Sequence, residues 1–461
     1  MAKGTKKELR NQLIYSIFVR NYSREGTFEA VRLDLKRIRD LGTDIIWLMP
    51  IHPIGEANRK GSLGSPYAIR DYRAVNPEYG TLEDFVRLTD TIHDMGMRVI
   101  IDVVYNHTSP DSVLAKEHPE WFYRKPDGSF GNKTGDWWDV IDLDYNAREL
   151  WAYQIETLCM WAKYVDGFRC DVASLVPVDF WMQAREAVAK VRPDAIWLAE
   201  SVHGGFMVYN RSRGIPAWSD AELYRAFDME YDYDIYDGYL GYLEGKNTLQ
   251  DYCWMVNRQE QIYPDNYVKV RYLENHDQPR AHFLIPDERS LRNWTAFQFF
   301  QKGAAMLYAG QEKGCTHCPS LFDKDTLAWS GHGAGGMDLD LVPLISRLAA
   351  MKKDPVFMDS TYYLNVLQDD IIIGIHAQNT WRPDSFEAFK GDAMVGIFPM
   401  RAESAVFSLT EVQVGGIQTL DRMLPDGTYE NLVDGLRIEI SCGRLATDGK
   451  AVIIRAGRKA M

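Results

Sequence analysis

The feature that most constrains this chain is a repeated unit: an amphipathic helical stretch, a glycine, then a short strand that is apolar along its whole length. Phe28, Val31, Leu35 and Ile38 recur at helical spacing, Gly42 follows as a stop, and TDIIWLMP reads as a strand buried on both faces. The pattern returns with Thr81 and Asp84 as a capping box, then Phe85, Leu88, Ile92 and Met95 on one helix face, Gly96, and RVIIDVVY. Helix, glycine and buried strand in repetition mean parallel βα units.

Trp151, Ile155, Leu158 and Ala162 give another stripe before VDGFRCDV, and the helix-like SLVPVDFWMQAREAVAKV leads to AIWLAESV. YRAFDMEYD, VKVRYLENHD and AAMLYAGQE supply later strands, and LIYSIFV at the start brings the count to eight. Eight such units predict an α/β fold, a (β/α)8 TIM barrel over residues 1–354, with a small insertion at 107–139 after the third strand. From 355 to 461 the stretches IIIGIHA, AMVGIFP, LRIEIS and KAVIIRA read as alternating strands between PDG and TDG turns, so a C-terminal antiparallel β-sandwich domain is expected. No low-complexity linker separates the two parts, which are expected to pack tightly.

Composition removes several function classes. A net charge of −13 without any basic stripe argues against a nucleic-acid partner. The longest apolar runs, such as Leu13 to Val19, fall far short of the ~20 residues of a membrane helix. The N-terminal MAKGTKKELRNQLIYSIFVRNYS has a basic start but no small-residue cleavage site after its brief apolar stretch, so no signal peptide and a cytoplasmic location are expected. Six cysteines are too few for a disulfide scaffold; Cys159 and Cys170 sit in apolar stretches as core thiols. Cys315 and Cys318 form a lone CTHC with no second ligand pair, so no zinc site is expected.

Four carboxylates stand where burial is costly. Asp102 interrupts VIIDVV, Asp171 ends DGFRCD, Glu200 ends AIWLAE and Asp277 ends VRYLENHD. In a barrel, strand C-termini and the loops after them build the active site. Asp171 and Glu200 lie one βα unit apart and are expected on neighbouring strands, as a pair of carboxyl groups for glycoside hydrolysis would be. His107, His276 and Arg169 share that rim and suit sugar hydroxyls and an ionised carboxylate, and Tyr67 could stack on a pyranose face. Metal-dependent amide hydrolysis, a rival barrel chemistry, needs paired histidines on an early strand, and LIYSIFVRNYS has none.

DVVYNH (Asp102–His107), GFRCD (Gly167–Asp171), WLAE (Trp197–Glu200) and ENHD (Glu274–Asp277) resemble, in order, the four principal motifs of the α-amylase family of glycoside hydrolases. GTDIIWLMP, SPYAIRDY, DLDYN and GAAMLYAGQE extend the resemblance along nearly the whole chain. It implies that Asp171 is the nucleophile, Glu200 the acid and Asp277 the residue that grips the 2- and 3-hydroxyls of a distorting ring. It implies further that Arg169 holds Asp171 ionised, that His107 and His276 bind the sugar with Tyr67 stacking beneath it, and that Asp102 supports the site. Asn275 and Tyr105 are equally well explained by backbone bonding and packing.

Two departures bear on metal. Where many family amylases carry a basic pair whose histidine helps to hold calcium, this chain reads Val172, Ala173, Ser174, Leu175. Asn106 matches one family calcium ligand, and the insertion that usually contributes others is short, so no required cofactor is expected. The resemblance implies an α-glucan oligosaccharide substrate: DLD leans towards α-1,4 cleavage of maltodextrins, while Val172 and Gln278-Pro279-Arg280 also occur in family glucosidases, including α-1,6 ones. A 4-α-glucanotransferase shares every residue named, and a non-catalytic carbohydrate-binding relative would usually lack one of the three carboxylates present here.

Overall fold

The structure is a computed structural model and describes residues 4–134, 137–329, 339–367, 370–378, 392–401, 404–414 and 418–456. All eight apolar runs become strands of one closed barrel: β1 (Leu13–Ile17), β2 (Ile45–Leu48), β3 (Arg98–Val103), β4 (Gly167–Cys170), β5 (Ile196–Ala199), β6 (Met229–Tyr231), β7 (Lys269–Arg271) and β8 (Ala304–Tyr308). Each pairs in parallel with the next in the chain, and β8 returns to β1 with Ser16 opposite Tyr308. Closure removes every free strand edge, and the helices outside bury the second face of each strand.

The longer helices are α1 (Phe28–Asp40), α2 (Leu82–Asp94), α3 (Arg148–Trp161), α4 (Val178–Val188), α5 (Gly204–Ser212), α6 (Tyr233–Leu243), α7 (Leu249–Ile262), α8 (Glu288–Phe300) and α9 (Val342–Lys352). Their ends follow local chemistry. The Thr27 hydroxyl accepts the Ala30 N–H at the start of α1, and Thr81 with Asp84 closes a capping box at α2. Gly42 ends α1 at φ +94, and a Cβ there would lie 2.6 Å from that of Ala349 on α9, so the turn and the packing both require glycine. The helix-like stretch after Asp171 starts late: Ala173–Leu175 form a single 3-10 turn and Pro177 precedes Val178, where α4 begins.

The short segment after β3 leaves through His107–Thr108 and returns through Ile141–Asp142, which pair antiparallel with it. This ribbon carries the insertion over the C-terminal mouth of the barrel.

The C-terminal region holds β9 (Thr361–Leu367), β10 (Ile371–Ala377), β11 (Ala393–Pro399), β12 (Ala405–Ser408), β13 (Gly427–Glu430), β14 (Arg437–Ser441), β15 (Arg444–Thr447) and β16 (Val452–Ala456). They form two four-stranded antiparallel sheets, ordered β9-β10-β11-β16 and β12-β15-β14-β13. The expected alternation of buried and wet residues does not hold in β10 and β11, which are buried along their whole length. The reason is a layer on each side. Ile371, Ile373, Ile375, Val395 and Ile397 pack with the second sheet, whereas Ile372, Met394 and Phe398 join the barrel core beside Phe300 of α8. Gly374 makes room, since a Cβ there would sit 2.5 Å from the Phe300 ring.

Candidate active site

Asp102 of β3 and Arg169 of β4 are register partners, so their side chains leave neighbouring strands on the same face, into the barrel mouth. Both are fully buried. Arg169 Nη1 donates to both oxygens of Asp102 at 2.9 Å and to Asp171 Oδ1 at 3.0 Å, and Nη2 lies 3.0 Å from Glu200 Oε2. One guanidinium therefore faces three carboxylates from three adjacent strands. Trp47, Tyr231 and Tyr67 surround it, with ring centroids 5.1, 5.3 and 5.8 Å from the guanidinium carbon. That cage excludes water and strengthens each charge interaction inside it.

Asp171 and Glu200 each follow the last residue of their strand and extend the ladder, Asp171 N–H donating to Val103 O and Glu200 N–H to Cys170 O. Val172 then turns sharply at φ +35, a conformation that a β-branched residue rarely adopts. The turn aims the Val172 N–H at Glu200 Oε2, 2.7 Å away.

Across the mouth, after β7, Asn275 Oδ1 accepts the Asp277 N–H at 2.9 Å while its amide donates to the Tyr233 hydroxyl. His276 Nε2 lies 3.0 Å from Asp277 Oδ2 and 2.7 Å from the Tyr67 hydroxyl, and the Tyr67 and His276 rings stack at 5.5 Å. His107 Nε2 stands 3.9 Å from Asp171 Oδ2.

The electrostatics separate these groups. Burial pushes Asp171 and Glu200 each up to about 7 and Asp102 up to about 6, against the downward pull of Arg169. Burial acts on Asp277 too, but His276 and Arg169 more than offset it and hold that carboxyl below the usual range. Reciprocally, Asp277 raises His276 despite its burial, and burial, against the upward pull of Asp142 and Asp139, drives His107 down to about 4, so that ring is neutral at pH 7. The mouth thus gathers three burial-raised carboxyl groups around one cation, with an ionised Asp277 facing them, and carboxyl groups on neighbouring strand ends are what double-displacement glycoside chemistry asks of a site.

The profile of the α-amylase catalytic domain matches residues 12–139 and 136–356, and that of the bacterial α-amylase C-terminal domain matches 364–454. The chain belongs to the α-amylase family of glycoside hydrolases. A crystal structure of an α-amylase from Lactobacillus plantarum shares 46% identity at a TM-score of 0.88, covering 98% of this chain and all of that one. A maltogenic α-amylase from Thermotoga neapolitana shares 32% identity at a TM-score of 0.80, covering 97% and 99%. An α-1,4-glucan:maltose-1-phosphate maltosyltransferase from Myxococcus xanthus is 35% identical over 41% of this chain, and the chain spans about a third of that relative's length (32%).

In this amylase-family barrel, all eight residues singled out from the sequence, Tyr67, Asp102, His107, Arg169, Asp171, Glu200, His276 and Asp277, converge on the mouth. Asn275 braces the Asp277 turn, and Tyr105 is packing: it stacks on Trp181 at 6.1 Å and donates to Gln154 O. Sequence reasoning missed the cage and the turn. Trp47 and Tyr231 read as ordinary strand residues, and nothing local marks Val172 as left-handed. It also missed Trp137, at the end of the insertion, whose ring lies 5.5 Å from that of His107. Cys315 is buried, while Cys318 is exposed and donates weakly to Gln278 O.

Proposed function

We propose that this family member is a retaining enzyme that cleaves α-1,4 bonds of soluble maltooligosaccharides. The observation that carries the reading is the shared guanidinium: Arg169 holds Asp171 and Glu200, from neighbouring strands, 3.0 Å from its two terminal nitrogens. A retaining mechanism needs its carboxyl groups only about 5–5.5 Å apart, closer than the pair that inverts through an intervening water. Asp171 spends Oδ1 on Arg169 and attacks the anomeric carbon with Oδ2, forming the glycosyl-enzyme ester. Glu200, fixed through Oε2 by the Val172 N–H, gives its proton to the departing glycosidic oxygen. It then takes a proton from the water that attacks the ester, which releases the sugar with its α-configuration and restores Asp171. Asp277, ionised beside His276, accepts hydroxyl hydrogens of the distorting ring, and neutral His107 with Tyr67 orients it.

We infer too that no calcium ion is needed. Around Asn106, the Asp142 carboxylate accepts the Lys133 N–H at 2.6 Å, and the Lys133 ammonium donates to Leu143 O at 2.9 Å. A lysine cation thus already serves the ribbon beside the one matching ligand, Asn106. A cytoplasmic setting accords with soluble maltodextrin as substrate.

The second reading is transfer, favoured by the maltosyltransferase similarity: a sugar hydroxyl in place of water would attack the same ester. Product profiles from maltoheptaose over time, with kcat/KM from maltotriose to soluble starch and the product anomer followed by NMR, test both. Hydrolysis predicts shorter products only; products longer than the substrate mean transfer. Starch as best substrate, or a β-anomer, refutes the proposal.

A further inference from the structure

Trp137 belongs to the insertion between β3 and β4, and Phe206 to α5, directly after β5. Those two rim segments flank β4, the strand that ends at Asp171. Their rings meet at 6.4 Å between centroids, tilted by 37°. On its other side the Trp137 ring lies against His107, which faces Asp171. The contact is thus an arch over the end of β4, joined to both flanking loops, with one foot on the reacting centre. Helix α5 offers little else to explain its place: Asn210 is its one fully buried residue, and Val208 and Tyr209 are 63% and 50% exposed.

The arch stands on a definable side. Phe206 follows Glu200 by one turn of chain and one turn of helix, so α5 continues from the residue that protonates the leaving oxygen. In an α-1,4-glucan the leaving fragment carries the reducing end. His276 and Asp277, which face the donor ring, enter from β7 across the barrel. We propose that the Trp137–Phe206 arch closes the cleft on the leaving-group side, so that the enzyme measures its substrate from the reducing end and releases a leaving fragment of one short length. This rests on Glu200 being the acid. An aromatic wall suits the task, because a pyranose stacks its C–H face on a ring, and the next sugar then has no space to occupy.

The experiment uses the full chain and maltoheptaose carrying 18O at its reducing end, with labelled products sized by mass spectrometry at early times. The expected result is a single dominant labelled length for the native enzyme. For Trp137→Ala and Phe206→Ala, the ratio of the next two longer labelled fragments to that length should rise about tenfold or more, a change in relative kcat/KM between binding registers. Trp137→Phe and Phe206→Tyr keep a ring and should restore the native distribution, which separates wall from fold. A broad set of labelled lengths from the native enzyme, or the same single length from both alanine variants when their melting curves match the native one, overturns the arch. Native enzyme that cleaves no maltoheptaose overturns the proposed hydrolysis as well.

Discussion

Two buried clusters in this barrel each set one basic side chain against three acidic ones and have opposite characters. At the mouth, Arg169 faces Asp102, Asp171 and Glu200. On the far side of β6 and β7, Lys269 faces Asp220, Asp234 and Glu230, the latter two at 3.1 and 3.7 Å. The outer cluster is enclosed by side chains of neighbouring helices. Lys269 also donates to Tyr231 O; Tyr263 donates to Asp234 and Asp220, and Gln259 to Asp234. Both oxygens of Glu230, like Asp234 Oδ1 and Gln259 Oε1, are buried without a hydrogen bond, and burial holds Glu230 well above its ordinary range. At the mouth the outward-facing atoms are left free: Asp171 Oδ2 has only His107 at 3.9 Å, beyond hydrogen-bond reach. The count of charges therefore says little about role. A cluster enclosed within the wall ties β6 and β7 to the helices outside them, while one at the cleft presents a carboxylate oxygen to whatever enters, at some cost to stability.

Breaking each cluster should show that difference. The largest effect is expected for Asp171→Asn, which removes the carboxylate proposed to attack and should raise the barrier by about 6 kcal/mol or more, read as turnover on maltoheptaose. The same change should stabilise the fold at neutral pH. Because the folded-state affinity of Asp171 for its proton is raised to about 7, its contribution is full below the unfolded-state value and is lost as pH rises through 7. The melting temperature of the variant should thus exceed the native one at pH 8, and the two should converge towards pH 4. A variant with turnover within tenfold of native, or one less stable at pH 8, would contradict the assignment.

Glu200→Gln should cost about 10²–10⁴-fold on maltooligosaccharides and far less on activated aryl glycosides, whose leaving groups need little protonation. Equal losses on both would remove Glu200 from the acid's role. In the native enzyme its elevation to about 7 should appear as the alkaline limb of the kcat/KM profile.

Lys269→Ala reverses the pattern. It strands three buried acids and should destabilise by about 3–5 kcal/mol in denaturant unfolding, with little change in the kcat of the folded fraction. A large fall in kcat at native stability would mean that the outer cluster acts on chemistry after all.

A smaller effect is expected from Glu230→Gln. The native acid stays protonated while its unfolded form ionises above about pH 4.3, so native stability should fall with rising pH by up to about 1.4 kcal/mol per unit. The glutamine variant should lack that slope and gain on the native protein between pH 5 and 8; parallel pH–stability curves would refute the reading. Smallest of all is chelation. With Lys133 serving the insertion ribbon, EDTA should lower the melting temperature by less than about 2 °C, whereas loss of a tightly held ion would cost several degrees.

What the sequence determined by itself is local. Strands buried on both faces show as unbroken apolar runs, helices as 3.6-residue stripes, and their ends as glycines and capping boxes, because backbone sterics and side-chain direction write those periods directly into residue order. The barrel and the four strand-end carboxylates were legible for that reason, and the family resemblance then attached roles to Asp171, Glu200 and Asp277. Tertiary structure decided what depends on closure and layering. Whether β10 and β11 alternate or are wholly buried depends on Phe300 arriving from another domain. The cage of Trp47, Tyr67 and Tyr231 about Arg169 joins side chains brought together only when β8 closes on β1, and the arch of Trp137 and Phe206 joins two rim segments that meet only at the barrel mouth. Lys269 looked like any strand residue until Asp220 and Asp234 came round to it from other elements. Contacts of this kind leave no period in the sequence, since their partners are fixed by ring geometry and loop path rather than by neighbours along the chain.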